Sequence, residues 1–219
     1  MPYWIKRTLF LIPLAVLLLS GCAKQEPYNY AALEQSKPRS ILVLPPVNNT
    51  VEVNAPYIYL STISRPLAEK GYYVFPVTVV DSLMKENGLP SPAEMHAVPL
   101  DKLTKHIGAD SVLYVTIDEW GQKYQVLSSK AVVRATLKLV DSRTGALLWD
   151  TEAFAQYQSS DGGGGLAGAL IGAVVEQIAG SMIDRTPDLS RIANNGSINN
   201  QVRGLLNGPY APESLVQQH

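Results

Sequence analysis

The sequence predicts a single α/β domain with a mixed sheet, and three observations carry that prediction. Short apolar runs bounded by Pro and Gly alternate with segments of helical spacing over residues 41–117. Two runs of strict apolar/polar alternation then follow, joined by a short loop that ends in Gly145. A last apolar stretch over 166–183 suits C-terminal helices. The order reads βαβααβ, then an antiparallel hairpin, then helices. Helical crossovers favour parallel pairing among the first three strands, and the hairpin adds antiparallel ones.

Each element has its own signal. Ile41-Leu42-Val43-Leu44, stopped by Pro45-Pro46, suits a strand buried on both faces. Leu60, Ile63 and Leu67 recur at helical spacing up to Lys70-Gly71, with Pro66 expected to kink or break the helix. Tyr72 to Phe75 reads as the second strand. Asp81 is expected to cap a helix through Met84 that stops at Asn87-Gly88. Leu100, Leu103 and Ile107 predict a helix closed by Gly108, and Ser111 to Ile117 the third strand. Val133, Ala135, Leu137 and Leu139 alternate with Arg134, Thr136 and Lys138, and Leu147, Trp149, Ala153 and Ala155 oppose Asp150, Glu152 and Gln156. Asp141 to Gly145 is the turn between them.

The N-terminus reads as an export signal. Lys6 and Arg7 precede an apolar run from Leu9 to Leu19, too short for a spanning helix. Leu19-Ser20-Gly21-Cys22 then resembles the bacterial lipobox, in which small residues precede the cut and the cysteine is acylated. Cys22 is the only cysteine, so no intramolecular disulfide can form. It is the predicted lipidation site, carrying palmitate-type chains into the membrane lipid. Two or three acyl chains at ~0.8 kcal/mol per buried CH₂ hold stably where one would not. By resemblance to lipoprotein sorting, Ala23-Lys24 in place of an acid implies the outer membrane.

The chain has 219 residues, with 18 Lys+Arg against 19 Asp+Glu. Removing residues 1–21 takes away Lys6 and Arg7 and leaves a net charge of −3. That balance argues against nucleic acid as a partner. Three His and one Cys are too few for a zinc site built from those residues alone, and no cofactor motif is present. The predicted organisation is a signal peptide over 1–21, the lipidated Cys22 and a Pro-containing tether over 22–40, the α/β domain over 41–194, and a polar tail over 195–219. Fully extended, the tether would reach at most ~60 Å, although Tyr28 and Tyr30 offer a way to pin it to the domain. Asn48-Asn49-Thr50 and Asn195-Gly196-Ser197 are read as loop markers.

Three readings compete for Asp161-Gly162-Gly163-Gly164-Gly165 and the stretch behind it. A phosphate loop would need Gly-Lys-Ser or Gly-Lys-Thr, which is absent. Membrane insertion of Leu166 to Ile183 has in its favour the Gly168/Gly172 pair and an uncharged stretch to Val175, but Glu176, Gln177 and Asp184 interrupt it. A hinge leading into a small-residue helix is preferred, because four glycines resist ordering.

Catalytic candidates are few. Asp118-Glu119, read as the end of the third strand, stands where α/β sheets place ligands. His96, read in a loop, and His106, read at a helix end, are acid–base candidates without a nucleophile motif. Trp120 and Tyr124 suit either a contact surface or the core. No catalytic, cofactor or metal residue is assigned.

Ser36 to Pro46, Gly71-Tyr72-Tyr73-Val74-Phe75-Pro76-Val77, Gly108 to Tyr114, Thr144 to Trp149 and the glycine run together resemble a family of bacterial lipoproteins typified by a meningococcal genome-derived antigen. The resemblance covers residues 36 to about 194. It implies a fold similar to the TolB N-terminal domain and to the periplasmic domain of CsgG, the curli-secretion pore lipoprotein. It implies a CsgG-like lipoprotein and another small lipoprotein as partners, leaves room for a homo-oligomer, and carries over no catalytic residue. The expected function is that of a periplasmic, outer-membrane-anchored, non-enzymatic component of an envelope assembly or transport complex. The alternatives are a CsgG-like pore subunit inserting Leu166–Ile183, or a periplasmic enzyme using Asp118, Glu119 and His96.

Overall fold

Ile41, Leu42, Val43 and Leu44 are all fully buried. The computed structural model shows why: the first strand has helices on both faces. It describes residues 27–125, 128–160 and 184–212, without the side chains of 122–129 and 158–160. The fold is the mixed α/β domain that the alternation predicts. In chain order the elements are α1 (Ala31–Ser36), β1 (Ser40–Val43), β2 (Val47–Asn48), α2 (Ala55–Glu69), β3 (Tyr73–Val74), α3 (Val77–Glu86), α4 (Pro92–His96), α5 (Leu100–Ile107), β4 (Ser111–Gln125), β5 (Ser128–Asp141), β6 (Leu147–Ser160) and α6 (Thr186–Ile198). The sheet order is β3-β1-β4-β5-β6, with β2 also paired to β4. β1 lies parallel to β3 and β4, and β4-β5-β6 form an antiparallel meander.

Two cores follow from this layering. Ile41, Val43, Leu113, Leu137 and Trp149 face α2 and α6, meeting Tyr59, Ile63, Leu67, Leu189 and Ile198. Leu42, Leu44 and Val112 face the other way, onto Val80, Met84, Met95 and Leu103 of α3, α4 and α5. The three short helices cover β1 and the start of β4 on that second face, and Thr104 of α5 donates to the Ser142 carbonyl beside the β5–β6 turn. Between α2 and α6 sits a buried polar knot. Thr62 and Ser190 share a hydrogen bond of 2.7 Å between their hydroxyls, and Asn194 Nδ2 donates to Thr62 Oγ1 at 2.9 Å.

Several expectations need correction. α2 runs unbroken through Pro66. Asp81 does not cap a helix, because α3 already begins at Val77 behind Pro76; Asp81 sits inside it and accepts from Lys85 Nζ at 2.6 Å. β4 does not end at Ile117. A bulge between Ile117 and Glu119 shifts the parity, so that Ile117 and Trp120 are both buried and the strand goes on to Gln125. The polar pair Asp118-Glu119 therefore lies within a strand.

Both outer boundaries also differ. The stretch expected as a tether up to Ser40 contains α1, whose Leu33 joins the core. The tail expected from Asn195 begins inside α6, where Ser197 and Ile198 are buried, and Leu205 is buried beyond it. Asn195-Gly196-Ser197 is thus helix and not loop. Cys22, the glycine run and Leu166–Ile183 lie outside the described residues.

The β5–β6 turn follows its predicted chemistry and supports a pH prediction. Asp141 closes it by accepting from the backbone amides of Arg143 and Thr144, each at 2.9 Å. The same carboxylate accepts from Ser36 Oγ, which ties α1 to the turn. Burial pushes this carboxyl up, but hydrogen bonds from Ser36, Thr144 and Arg143 outweigh burial and hold it at about 2, against an ordinary 3.8. A depressed carboxylate stabilises the fold above its unfolded pKa, and that stability is lost as pH falls through the folded value. The domain should therefore lose roughly 2 kcal/mol from this group between about pH 4 and pH 2. Urea midpoints across that range, compared with those of Asp141→Asn, check this; equal slopes would refute it.

Candidate functional site

The residues offered as catalytic are brought to separate structural duties. Asp118 accepts from Thr136 Oγ1 at 2.8 Å. Glu119 accepts from Arg134 Nε at 2.9 Å, while Arg134 also donates to Glu152 at 2.7 Å and lies 4.3 Å from the Phe154 ring centre. These side chains form a polar ladder across β4, β5 and β6. His96 lies in the last turn of α4 and not in a loop, since Ser91 and Glu94 make a reciprocal cap that starts a helix. Its Nε2 is 2.9 Å from the Pro45 carbonyl oxygen, and its ring meets Tyr114 edge-on. Burial pulls the His96 pKa below its ordinary value, partly offset by the contact with Pro45. His106 is exposed at the end of α5, and Trp120 belongs to the core. Among the described residues no group of three His, Cys, Asp or Glu is placed to hold a metal ion, and no helix is long and apolar enough to cross a membrane.

The most highly organised polar junction is one the sequence hinted at only through Tyr28 and Tyr30. The N-terminal arm enters at Pro27 and lies against the start of β6. The Tyr28 hydroxyl donates to Asp150 Oδ1 at 2.7 Å and accepts from the Asp150 amide at 3.0 Å. Arg203 comes from the other side. It donates from Nη2 to Asp150 Oδ2 at 2.5 Å and from Nε to the Asp150 carbonyl at 3.1 Å, and it lies 4.9 Å from the Tyr28 ring centre. Both backbone groups of Asp150 on the open edge of the sheet are thereby satisfied. Burial first, then the hydrogen bond to Asp150, raises the Tyr28 pKa.

Three more aromatic donors hold the segment after α6 by its carbonyls. Trp149 Nε1 donates to Arg203 at 2.9 Å, the Tyr30 hydroxyl to Gly204 at 2.6 Å, and the Tyr72 hydroxyl to Leu206 at 2.9 Å. Tyr28 and Tyr30 stack edge-to-face at 4.8 Å. The N-terminal arm and the C-terminal segment thus fix one another to the domain. Sequence reading missed Asp150 and Arg203 because each looks like an ordinary solvated charge. The spacing Tyr28-x-Tyr30 in a polar stretch was the available signal.

The described residues form a mixed α/β domain whose N-terminal arm is docked against β6. The chain belongs to the GNA1162-like family, described as "Putative lipoprotein GNA1162-like", which matches residues 28–210. That match begins at Tyr28 and ends at Tyr210, so it takes in both the arm and the C-terminal segment. A lipoprotein of Neisseria meningitidis serogroup B is 43% identical over 198 residues, 89% of this chain and 92% of the relative. The crystal structure of lipoprotein GNA1162 from Neisseria meningitidis is similar at TM-score 0.52 and 42% identity, covering 59% of this chain and 88% of that one. The LpoB C-terminal domain from Escherichia coli has a looser likeness, at TM-score 0.39 and 17% identity over 65% of this chain and 93% of that one, too little to carry an argument. Family membership places the protein in the cell envelope, anchored to a membrane.

Proposed function

We propose that this lipoprotein is held in the outer membrane through acylated Cys22, with its domain in the periplasm. There it acts as a non-enzymatic component of an envelope assembly or transport complex. Its proposed partners are a CsgG-like lipoprotein and another small lipoprotein, and the TolB- and CsgG-like outline belongs to the same proposal. The observation that carries the reading is the docked arm: Tyr28, six residues after Cys22 in the sequence, is locked to β6 through Asp150. The separate engagement of Asp118, Glu119 and His96 weighs on the same side against chemistry.

The test uses the lipidated, tagged full chain. Sucrose-gradient separation of membranes should put it with the outer membrane, and pull-down from detergent-solubilised envelopes should retain the CsgG-like lipoprotein. Asp118→Asn combined with Glu119→Gln should behave like wild type in cells. Its stability should shift by no more than ~1 kcal/mol, because the ion pair it loses is half exposed. A folded double variant that loses the cellular phenotype would put chemistry first and overturn the proposal.

A further inference from the structure

The structure shortens the tether, and that decides which end of the domain meets the membrane. Free up to Ser40, the chain behind Cys22 would reach ~60 Å. With Tyr28 locked onto Asp150, only the five links from Cys22 to Pro27 remain, at most about 18 Å. Asp150 lies near the start of β6, beside the β5–β6 turn and the turn that follows α6.

We propose that this end of the domain, carrying Leu147, Val202, Lys37 and Arg143, rests on the phospholipid surface in which Cys22 is anchored. The proposal depends on the lipoprotein reading of Cys22 and extends it to an orientation.

The composition of the end fits that occupant. Leu147 and Val202 are large apolar residues left 48% and 53% exposed, and each lies within two residues in the chain of the Trp149–Arg203 hydrogen bond. Lys37 is exposed at the end of α1, next to Ser36, whose hydroxyl reaches Asp141. The Arg143 side chain is 58% exposed. Glu34 on α1 is an exposed acid in the same region, but Asp141 and Asp150 are already engaged by Ser36, Arg143, Tyr28 and Arg203. Two half-exposed side chains bind a membrane weakly on their own, since full burial of each is worth only ~1.5–3 kcal/mol. Weak attraction suffices here, because the acyl anchor makes the contact intramolecular and holds the patch at high effective concentration.

The opposite end follows by geometry. β6 runs ten residues from Asp150 to Ser160, about 33 Å along the strand. The tips of β4, β5 and β6 therefore point away from the lipid, towards the periplasmic space.

The test labels the full lipidated chain with an environment-sensitive fluorophore. Acylation blocks Cys22, so Leu147→Cys, Val202→Cys and Lys130→Cys each carry a single reactive thiol. Lys130 pairs with Gln158 near the far end of the meander. The proteins are reconstituted in vesicles of phosphatidylethanolamine and phosphatidylglycerol with spin-labelled lipid as quencher. Label at 147 and 202 should be blue-shifted and quenched several-fold more than label at 130. Adding Tyr28→Ala, which frees the arm, should reduce that contrast. Equal quenching at the three positions, or stronger quenching at 130, overturns the orientation. Flotation and intact mass of the same samples read the anchor separately. Samples that carry acyl groups and float without the contrast defeat the orientation alone, whereas unacylated protein that fails to float defeats the anchor reading as well.

Discussion

Cys22→Ser should move the protein from the membrane fraction to the soluble fraction essentially completely. The substitution removes the only thiol in the chain, the proposed acylation site directly behind Leu19-Ser20-Gly21. Two or three acyl chains supply ~0.8 kcal/mol per buried CH₂, and nothing else on the described domain approaches that. With residues 1–21 removed as proposed, the chain carries a net charge of −3, so overall charge does not draw it to an acidic membrane. The exposed pair Leu147 and Val202 is too small to hold the domain at a bilayer without the anchor. Flotation in high salt checks the outcome. A variant that still floats would mean that the uncleaved apolar run Leu9–Leu19 or the stretch Leu166–Ile183 holds the protein, and the second of these would revive the pore reading. Intact mass of the floating material distinguishes the two, since retention of Leu9–Leu19 adds the whole signal segment.

How far the sequence foretold this molecule depended on whether each element's signal was periodic. β1 was legible because a strand covered on both faces must be continuously apolar, and Ile41 to Leu44 are. The end of α5 was legible because Gly108 takes a φ of +78 there. The hairpin was legible because its far face is open to water, which enforces alternation. β4 was misread for a reason that acts on any strand: a bulge inserts one residue, and the pattern beyond it resumes out of phase. α1 was invisible because six residues with one buried leucine carry no period. The arm-to-domain junction was the least legible part. Its contacts join Tyr28, Asp150 and Arg203, residues far apart in the chain, through backbone groups that composition does not encode. The docking of Tyr28, five residues beyond the start expected for the tether at Ala23, emerged only from the fold.

Gly71→Ala should loosen the C-terminal segment and lower stability well beyond the ordinary cost of replacing a glycine. Gly71 has a φ of +85, where a side chain is strained. A Cβ there would also run into the Ala211 backbone nitrogen, closer than real Cβ atoms approach any atom. The close approach exists because the segment docks by backbone hydrogen bonds: Gly208 N to Lys70 O at 2.7 Å and Tyr210 N to Gly71 O at 3.0 Å. Relief therefore requires the segment to lift, and both bonds are at stake. Gly88→Ala is the matched control, with nearly the same φ of +83 and no atom within 4 Å of the added Cβ. The control should cost about 1 kcal/mol, from backbone strain alone. Gly71→Ala should cost that and a further ~1–3 kcal/mol for the two hydrogen bonds and the packing they hold. Urea midpoints of the two variants measure the difference, and hydrogen exchange at the Gly208 and Tyr210 amides locates it. Equal midpoints with both amides still protected would show that the segment tolerates the methyl group, and that the aromatic donors Tyr30, Tyr72 and Trp149 hold it in place without the backbone contact.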